Sequence, residues 1–284
     1  MEAATLNDLK NQQRQSWNKF SAGWKKWDEF VMAWLKPVGD KILELAELKE
    51  DDHVLDCATG TGEPGLTAAQ IVKKGKVTAT DLSERMIKIA AENSRSRGLS
   101  NYEAMVYDTD GLPFDDNTFE AVICRFGIIF FADVQKGVNE LVRVLKPERR
   151  VTASVWADPS FNPWASVPMS VIRNVLQLPP TPPGQPGIFR CAEKGYAAGI
   201  YKEAGLKDIK ETEVNGTIVY DSPKWYWEYT LEIAAPIVAA LETTERYQRD
   251  SIDKQLMVEL ERFVNKDSGK VEMPWKAYVV AGRK

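Results

Sequence analysis

Gly60, Gly62 and Gly65 close the run His53-Val-Leu-Asp-Cys-Ala-Thr-Gly-Thr-Gly-Glu-Pro-Gly65, and their spacing is one that lets backbone close around a ligand. The apolar residues before them (Val54, Leu55, Cys57, Ala58) read as a buried parallel strand. Where that strand empties into Gly60-Thr61-Gly62, missing side chains allow a tight turn and close approach. Pro64 suits the first turn of a helix, a position whose N–H would have no intrahelical partner. About twenty residues on, Val77-Thr-Ala-Thr-Asp81 reads as a second strand. Its terminal carboxylate stands at the spacing to accept hydrogen bonds from both hydroxyls of a ribose. This is the signature of a nucleoside-cofactor site.

The glycines also satisfy G-x-G-x-x-G, the dinucleotide fingerprint, which makes NAD(P) the rival ligand and an oxidoreductase the rival function. Asp56 argues against it. A carboxylate inside the first strand would repel a pyrophosphate but suits a ligand carrying an ammonium and a sulfonium. A third strand, Tyr102 to Tyr107, ends in Asp108 and precedes Gly111-Leu-Pro-Phe114. A fourth, Phe119 to Cys124, leads into Arg125-Phe-Gly127 and then a helix closing with Leu145-Lys-Pro147.

As an ordered set these motifs resemble the class I S-adenosylmethionine (SAM) methyltransferases, in the branch around the ubiquinone/menaquinone-biosynthesis C-methyltransferases. The resemblance covers roughly residues 51–156, with a weaker echo in 195–214 and 276–284. It implies a Rossmann-like α/β fold whose seven-stranded sheet carries helices on both faces, the last strand inserted antiparallel between the fifth and sixth. It also implies roles. Asp56 orients the methionine moiety of SAM, and the backbone around Ala58, Gly60, Thr61 and Gly62 takes its amino-acid portion. Asp81 binds the ribose hydroxyls, while Leu82 and Met86 line the adenine pocket. Asp108 accepts from the adenine amino group, Thr109 adds a backbone contact, and Arg125 and Phe126 stand where the fourth strand opens onto the methyl. The Asp/Asn pair of metal-dependent catechol methyltransferases is replaced by Arg125-Phe-Gly127, so no metal is expected. A SAM-binding protein that has lost turnover and serves as a partner subunit is the non-enzymatic alternative.

Bulk properties fit a small-molecule enzyme. A chain of 284 residues can hold one large α/β domain with insertions. A net charge of −4 gives no electrostatic reason to expect nucleic acid. No segment approaches the 18 or so uninterrupted apolar residues of a membrane span. The N-terminus has no charged-then-apolar signal pattern, and Cys57, Cys124 and Cys191 read as reduced, buried thiols, so a cytoplasmic monomer or homodimer is expected.

The elements that must position the site follow from periodicity. Strands are expected near 53–58, 76–81, 102–107, 119–124 and 150–156, alternating with helices near 64–74, 84–97 and 133–144, with Ser83 as a helix cap. A further helix is expected at 195–204, and last strands at 209–214 and 277–281. The core is thus expected over 48–157, 193–221 and 273–284, with attachments at 1–47, 158–192 and 222–272. In the first attachment Trp17, Phe20, Trp24, Trp27, Val31 and Trp34 recur at three- and four-residue steps, an aromatic stripe that reads as a lid or as docking surface. The second carries an amphipathic helix over 167–176 and a proline-stiffened loop over 179–187; the third is helical over 222–264. Trp24, Trp27, Trp164, Trp225 and Trp227 are candidate substrate contacts, suited to a flat or greasy acceptor or to a cation–π box for an amine. The single histidine, His53, enters the first strand at the end remote from the expected site, roughly 15–18 Å away at about 3.3 Å per residue. The acceptor must then arrive ionised or electron-rich, or be helped by a tyrosine or carboxylate of the cap.

Overall fold

The computed structural model describes residues 3–179, 184–242 and 244–284. Helices α1 (Ala3–Lys26) and α2 (Asp28–Ala46) precede an alternating core: β1 (His53–Cys57), α3 (Gly65–Ile71), β2 (Lys76–Asp81), α4 (Glu84–Ser96), β3 (Tyr102–Val106), β4 (Phe119–Arg125), α5 (Val134–Val144) and β5 (Leu145–Trp156). Helix α6 (Pro163–Leu176) follows, then α7 (Tyr196–Glu203) and β6 (Lys207–Tyr220). Helices α8 (Pro223–Ile233), α9 (Ala235–Glu242) and α10 (Arg246–Leu260) lead to the final strand β7 (Val271–Arg283). One seven-stranded sheet runs β3-β2-β1-β4-β5-β7-β6. Neighbours from β3 to β5 pair parallel, and β7 lies antiparallel between β5 and β6, as the resemblance implies.

Strand order reverses between β1 and β4, and the crevice outside their carboxyl ends is where open α/β sheets take ligands. β1 is wholly buried beyond His53, which is why its sequence is a continuous apolar run interrupted only by Asp56. Since β6 runs antiparallel to β7, which runs antiparallel to β5, both the α6 and the α8–α10 insertions leave from the carboxyl side of the sheet. They border the crevice as expected.

Three expected boundaries move, each for a physical reason. The segment before Pro147 is extended rather than helical: α5 stops at Val144 and β5 begins at Leu145, because a residue preceding proline is pushed out of the helical region. Pro64 lies just before α3, which starts at Gly65. Strands β6 and β7 are much longer than their apolar centres. They form a two-stranded extension beyond Trp156↔Ala277, the last β5–β7 pair, in which exposed Thr217 and Val219 alternate with buried Ile218 and Tyr220 along β6. Pro274 falls in this extension, beyond the stretch of β7 paired with β5. Part of the expected proline-rich loop, residues 180–183, lies outside the described residues.

The N-terminal attachment is two helices with different loyalties. In α2, Val31, Leu35, Val38 and Ile42 are buried at helical spacing, and the helix packs across β4, β5, β6 and β7. Helix α1 instead lies on α4 and α8. The break falls at Trp27, whose indole N–H donates to Glu232 Oε2 at 2.9 Å while Lys26 Nζ takes Oε1 at 2.6 Å. Close seating there depends on Gly23, where a Cβ would collide with the Glu232 carbonyl on α8. Gly23→Ala is therefore expected to destabilise the protein by about 1–3 kcal/mol through overpacking. An unchanged denaturant midpoint would show that α1 is not held as described.

Candidate functional site

The crevice is built around the carboxylate of Asp56, fully buried at the end of β1. Its Oδ2 accepts from Thr59 Oγ1 at 2.5 Å and from the Gly65 N–H at 3.1 Å, while Oδ1 has no hydrogen-bond partner. A Cβ at position 65 would run into this carboxylate, so the third glycine of the motif serves the helix-to-aspartate contact. Burial pushes Asp56 up to about 7, against the hydrogen bonds from Thr59 and Gly65 and the positive charge of Arg125. The turn between is held by the Thr59 N–H on Thr80 O (2.9 Å) and the Gly62 N–H on Thr59 O (3.0 Å), with Gly60 at φ +57° and Gly62 at φ +120°.

Asp81 ends β2 beside this turn. Its Oδ2 accepts from the Gly60 N–H at 3.0 Å and its Oδ1 from the Ser83 N–H at 2.8 Å. Each oxygen retains a lone pair, so the two can still accept from the two hydroxyls of a ribose. Burial raises its pKa. Ser83 caps α4, its Oγ accepting from the Met86 N–H at 3.1 Å, which frees Asp81 from that task. Leu82 is half-buried and Met86 buried in the same corner.

Asp108 caps the short 3-10 turn after β3 by accepting from the Asp110 N–H at 3.1 Å, and Thr109 Oγ1 lies 3.3 Å from Cys57 Sγ. Its other oxygen meets Lys10 of α1 at 2.9 Å, and the same ammonium reaches Asp110 at 2.7 Å. Farther along α1, Asn18 Oδ1 accepts from Ser83 Oγ at 2.7 Å and Trp17 meets Phe130 edge-on at 5.1 Å. Helix α1 is thus strapped across the crevice from the β3 side to the β4 side.

At the end of β4, Arg125 Nη2 contacts Met32 Sδ at 2.9 Å. Phe126 adopts φ +58°, a conformation that costs a non-glycine residue strain, and its N–H donates to Ser154 Oγ at 3.1 Å. Its ring stacks on Trp156, centroids 4.0 Å apart and planes 6° from parallel. Trp156 in turn meets Trp34 at 5.8 Å and Trp164 at 4.9 Å.

The five candidate substrate tryptophans do not form one patch. Trp164 belongs to the cluster on Trp156, next to the end of β4. Trp27 and Trp225 pack against each other at 4.8 Å in a second cluster with Tyr229. Trp24 leans on Trp17 at 6.0 Å, and Trp227, buried, donates to Asp253 Oδ1 at 2.9 Å. Periodicity put Trp34 in the aromatic stripe but pointed to neither Trp156 nor Lys10 as a neighbour of the crevice. Trp156 ends a core strand and so reads as packing, and Lys10 sits on a polar helical face.

Comparison with known proteins agrees with this geometry. A family model described as a methyltransferase domain matches residues 54–148. The chain is similar to the ubiquinone/menaquinone biosynthesis C-methyltransferase UbiE of Cronobacter sakazakii, 32% identical over 123 residues, 43% of this chain and 49% of that protein. It is also similar to the demethylmenaquinone methyltransferase of Bacillus subtilis, 25% identical over 202 residues, 66% of this chain and 84% of that protein. The chain spans about half the length of the first curated relatives it matches. Among solved structures, the YcgJ protein of Bacillus subtilis shares the fold, with a TM-score of 0.59 at 20% identity over 87% of this chain and 97% of that one. A SAM-dependent methyltransferase of Aquifex aeolicus matches with a TM-score of 0.50 at 25% identity over 66% and 88%.

His53 lies where the strand order places it, at the amino end of β1. Its Nε2 is 2.9 Å from Thr78 Oγ1 and its ring 4.5 Å from Phe119. Burial, aided by Lys76, lowers its pKa from 6.5 to about 4, so it is neutral in the fold. Because the unfolded chain binds a proton more readily, the stability held by neutral His53 is present above 6.5 and is lost as pH falls toward 4. Wild-type Tm is expected to fall more steeply than that of His53→Gln across this window, while the variant keeps most activity. A large loss of kcat in a well-folded variant would put the active site at the other end of the sheet.

Proposed function

We propose that this chain, which belongs to the class I SAM-dependent methyltransferases in the branch of the ubiquinone/menaquinone-biosynthesis enzymes, transfers a methyl group to a small aromatic, quinol-like acceptor. The observation that carries the reading is the coupled pair of carboxylates at the switch point. Asp81 is held by the Gly60 turn with acceptor capacity to spare, beside Asp56 with one oxygen unpartnered. Two buried acids suit a cationic nucleoside and oppose a pyrophosphate. SAM, when bound, supplies a methyl group already activated on a sulfonium.

The chain's own residues then have positioning and exclusion to perform. Asp81 holds the ribose, Leu82 and Met86 enclose the adenine, and Asp108 with Thr109 meets its edge. The backbone from Ala58 through Gly60, Thr61 and Gly62 receives the amino-acid portion beside Asp56. Holding nucleophile, methyl and sulfur in line while excluding water supplies several kcal/mol of barrier lowering, and no further catalyst is required. The Phe126–Trp156 stack, with Trp34 and Trp164 behind it, supports a flat acceptor at the end of β4. Trp24, Trp27, Trp225 and Trp227 serve mainly to hold the cap together.

Proton removal does not fall to the cap tyrosines. Burial raises Tyr220, Tyr226 and Tyr229 above the ordinary phenol range, which leaves them poor bases near neutrality. The acceptor therefore brings its own electron density, as a phenolate or an enolised quinol carbon. The deciding assay is methyl transfer from radiolabelled SAM to a panel of phenols and hydroquinones, with SAM and NADH compared by calorimetry. Binding of NADH but not SAM would overturn the reading.

Two variants sharpen it. Asp81→Ala leaves two ribose hydroxyls without a buried acceptor, roughly 1–3 kcal/mol each, so the Kd for SAM is expected to rise at least about tenfold with the melting curve preserved. Unchanged affinity in a folded variant would remove the ribose assignment. Asp56 gives a pH signature. A cationic ligand needs the carboxylate ionised, so below about 7 its proton must leave on binding. Affinity should then weaken as pH falls, by up to about tenfold per unit, and Asp56→Asn should flatten that slope. Equal slopes in both proteins would show that Asp56 does not face the ligand.

A further inference from the structure

Tyr102 opens β3, the edge strand of the sheet, yet its hydroxyl is engaged two strands away. It lies 3.1 Å from Thr59 Oγ1, in the glycine turn that follows β1. A Cβ at position 62 would press on Leu66 and come within 3.4 Å of the phenol oxygen, so that oxygen sits against the turn itself. The direction of the bond follows from counting protons. Thr59 has one hydroxyl proton, and Asp56 Oδ2, 2.5 Å away, takes it. Toward Tyr102 the Thr59 oxygen can then only accept. The three side chains form a one-way chain, Tyr102 donating to Thr59 and Thr59 to Asp56. Among the described residues the phenol oxygen makes no other hydrogen bond, so the chain is its whole engagement.

We propose that Tyr102 is a positioning residue of the cofactor site, which acts through Thr59 to keep the Asp56 carboxylate ionised and ready for a cation near neutral pH. The identity of that cation rests on the methyltransferase reading; the chain of hydrogen bonds does not. A hydroxyl that accepts a hydrogen bond is polarised and donates more strongly in turn, and burial amplifies the effect. Burial pushes Asp56 up to about 7, and the Thr59 hydrogen bond is the foremost influence holding it down. Tyr102 keeps its own proton throughout that range, since burial, and after it the charge of Asp56, hold it well above the ordinary phenol value. The other charges around the chain come from separate elements. Arg125 on β4 favours ionisation of Asp56, and Glu63 on the turn, paired with Arg97, opposes it. Asp28 of α2 acts on Arg125, and Asp81 of β2 on Tyr102. Replacing the phenol by phenyl leaves all of these in place. Thr59 is then a weaker donor, and Asp56 holds its proton to higher pH.

The test compares wild type with Tyr102→Phe. In the ligand-free proteins, carbon-13 labelled at the aspartate carboxyls, the Asp56 signal is identified by its loss in Asp56→Asn and followed by NMR as pH is varied. It should titrate about half a unit or more higher in Tyr102→Phe, which is roughly a threefold change in proton affinity. Calorimetry with SAM should show the same factor: a Kd about threefold weaker than wild type at about pH 6, and within about 1.5-fold at about pH 9, where Asp56 is ionised in both. In an Asp56→Asn background, Tyr102→Phe should change neither value. Equal titration of Asp56 in the two proteins overturns the proposal. So does a loss of SAM affinity that is the same at both pH values, which is what a merely structural phenol would give. Should Tyr102→Phe fail to fold, a ring-fluorinated tyrosine at position 102, a stronger donor of nearly the same shape, should move the Asp56 titration down; no movement again overturns the proposal. If wild type binds no SAM, the methyltransferase reading falls while the titration still decides the role of Tyr102. If SAM binds and the titration does not move, the role of Tyr102 alone falls.

Discussion

A carboxylate with no exposed surface at the end of a central parallel strand is the constraint from which the site follows. Burying Asp56 is costly unless its charge is met, and the structure meets only half of it. One oxygen is satisfied by Thr59 and by the first N–H of α3, and that contact dictates glycine at position 65 and the closeness of α3 to β1. The other oxygen is left over. Arg125 acts on it from the neighbouring strand without touching it. Such an arrangement leaves one buried oxygen without a partner, and a cation of the kind the proposed ligand carries would complete it.

The same economy appears in helix α1. Helix α1 could have packed as an inert amphipathic helix, yet the residues that hold it down are those flanking the nucleoside crevice: Asp108 and Asp110 through Lys10, Ser83 through Asn18. Helix α2 is different in kind. Its buried face packs on four strands, whereas α1 rests on α4 and α8, and the change of partners falls at Trp27.

What the sequence disclosed and what it hid divide along one physical line. Gly60, Gly62, Gly65 and Asp81 were legible because their roles are local: each is demanded by the turn or strand end on which it sits. Strand and helix alternation from β1 to β5 was legible for the same reason. The single aromatic stripe was legible as a helix, but its break at Trp27 was not, since that break is imposed by Glu232 some two hundred positions later. The lengths of β6 and β7 were underread because Gly216 and Pro274 interrupt the strand pattern where the two strands pair beyond the core. Long-range pairing, not local pattern, decides each of these.

The absence of histidine from the crevice narrows the chemistry further. The fold holds its one imidazole neutral at the remote end of β1, and burial raises Tyr102, Tyr220 and Tyr229 above the ordinary phenol range, so neither imidazole nor these phenols serve as bases near neutrality. What the site does offer is a strained, stacked aromatic surface at the end of β4: Phe126 is kept in a left-handed conformation by the Ser154 hydrogen bond and by Trp156 beneath its ring. Strain persists where the surroundings over-determine it, and here it turns a backbone toward the crevice and a ring toward the cap. On the proposed reading this flat surface suits acceptors that are themselves flat and already nucleophilic. Reactivity would then be supplied by donor and acceptor, and the protein's contribution would be to bring them into line.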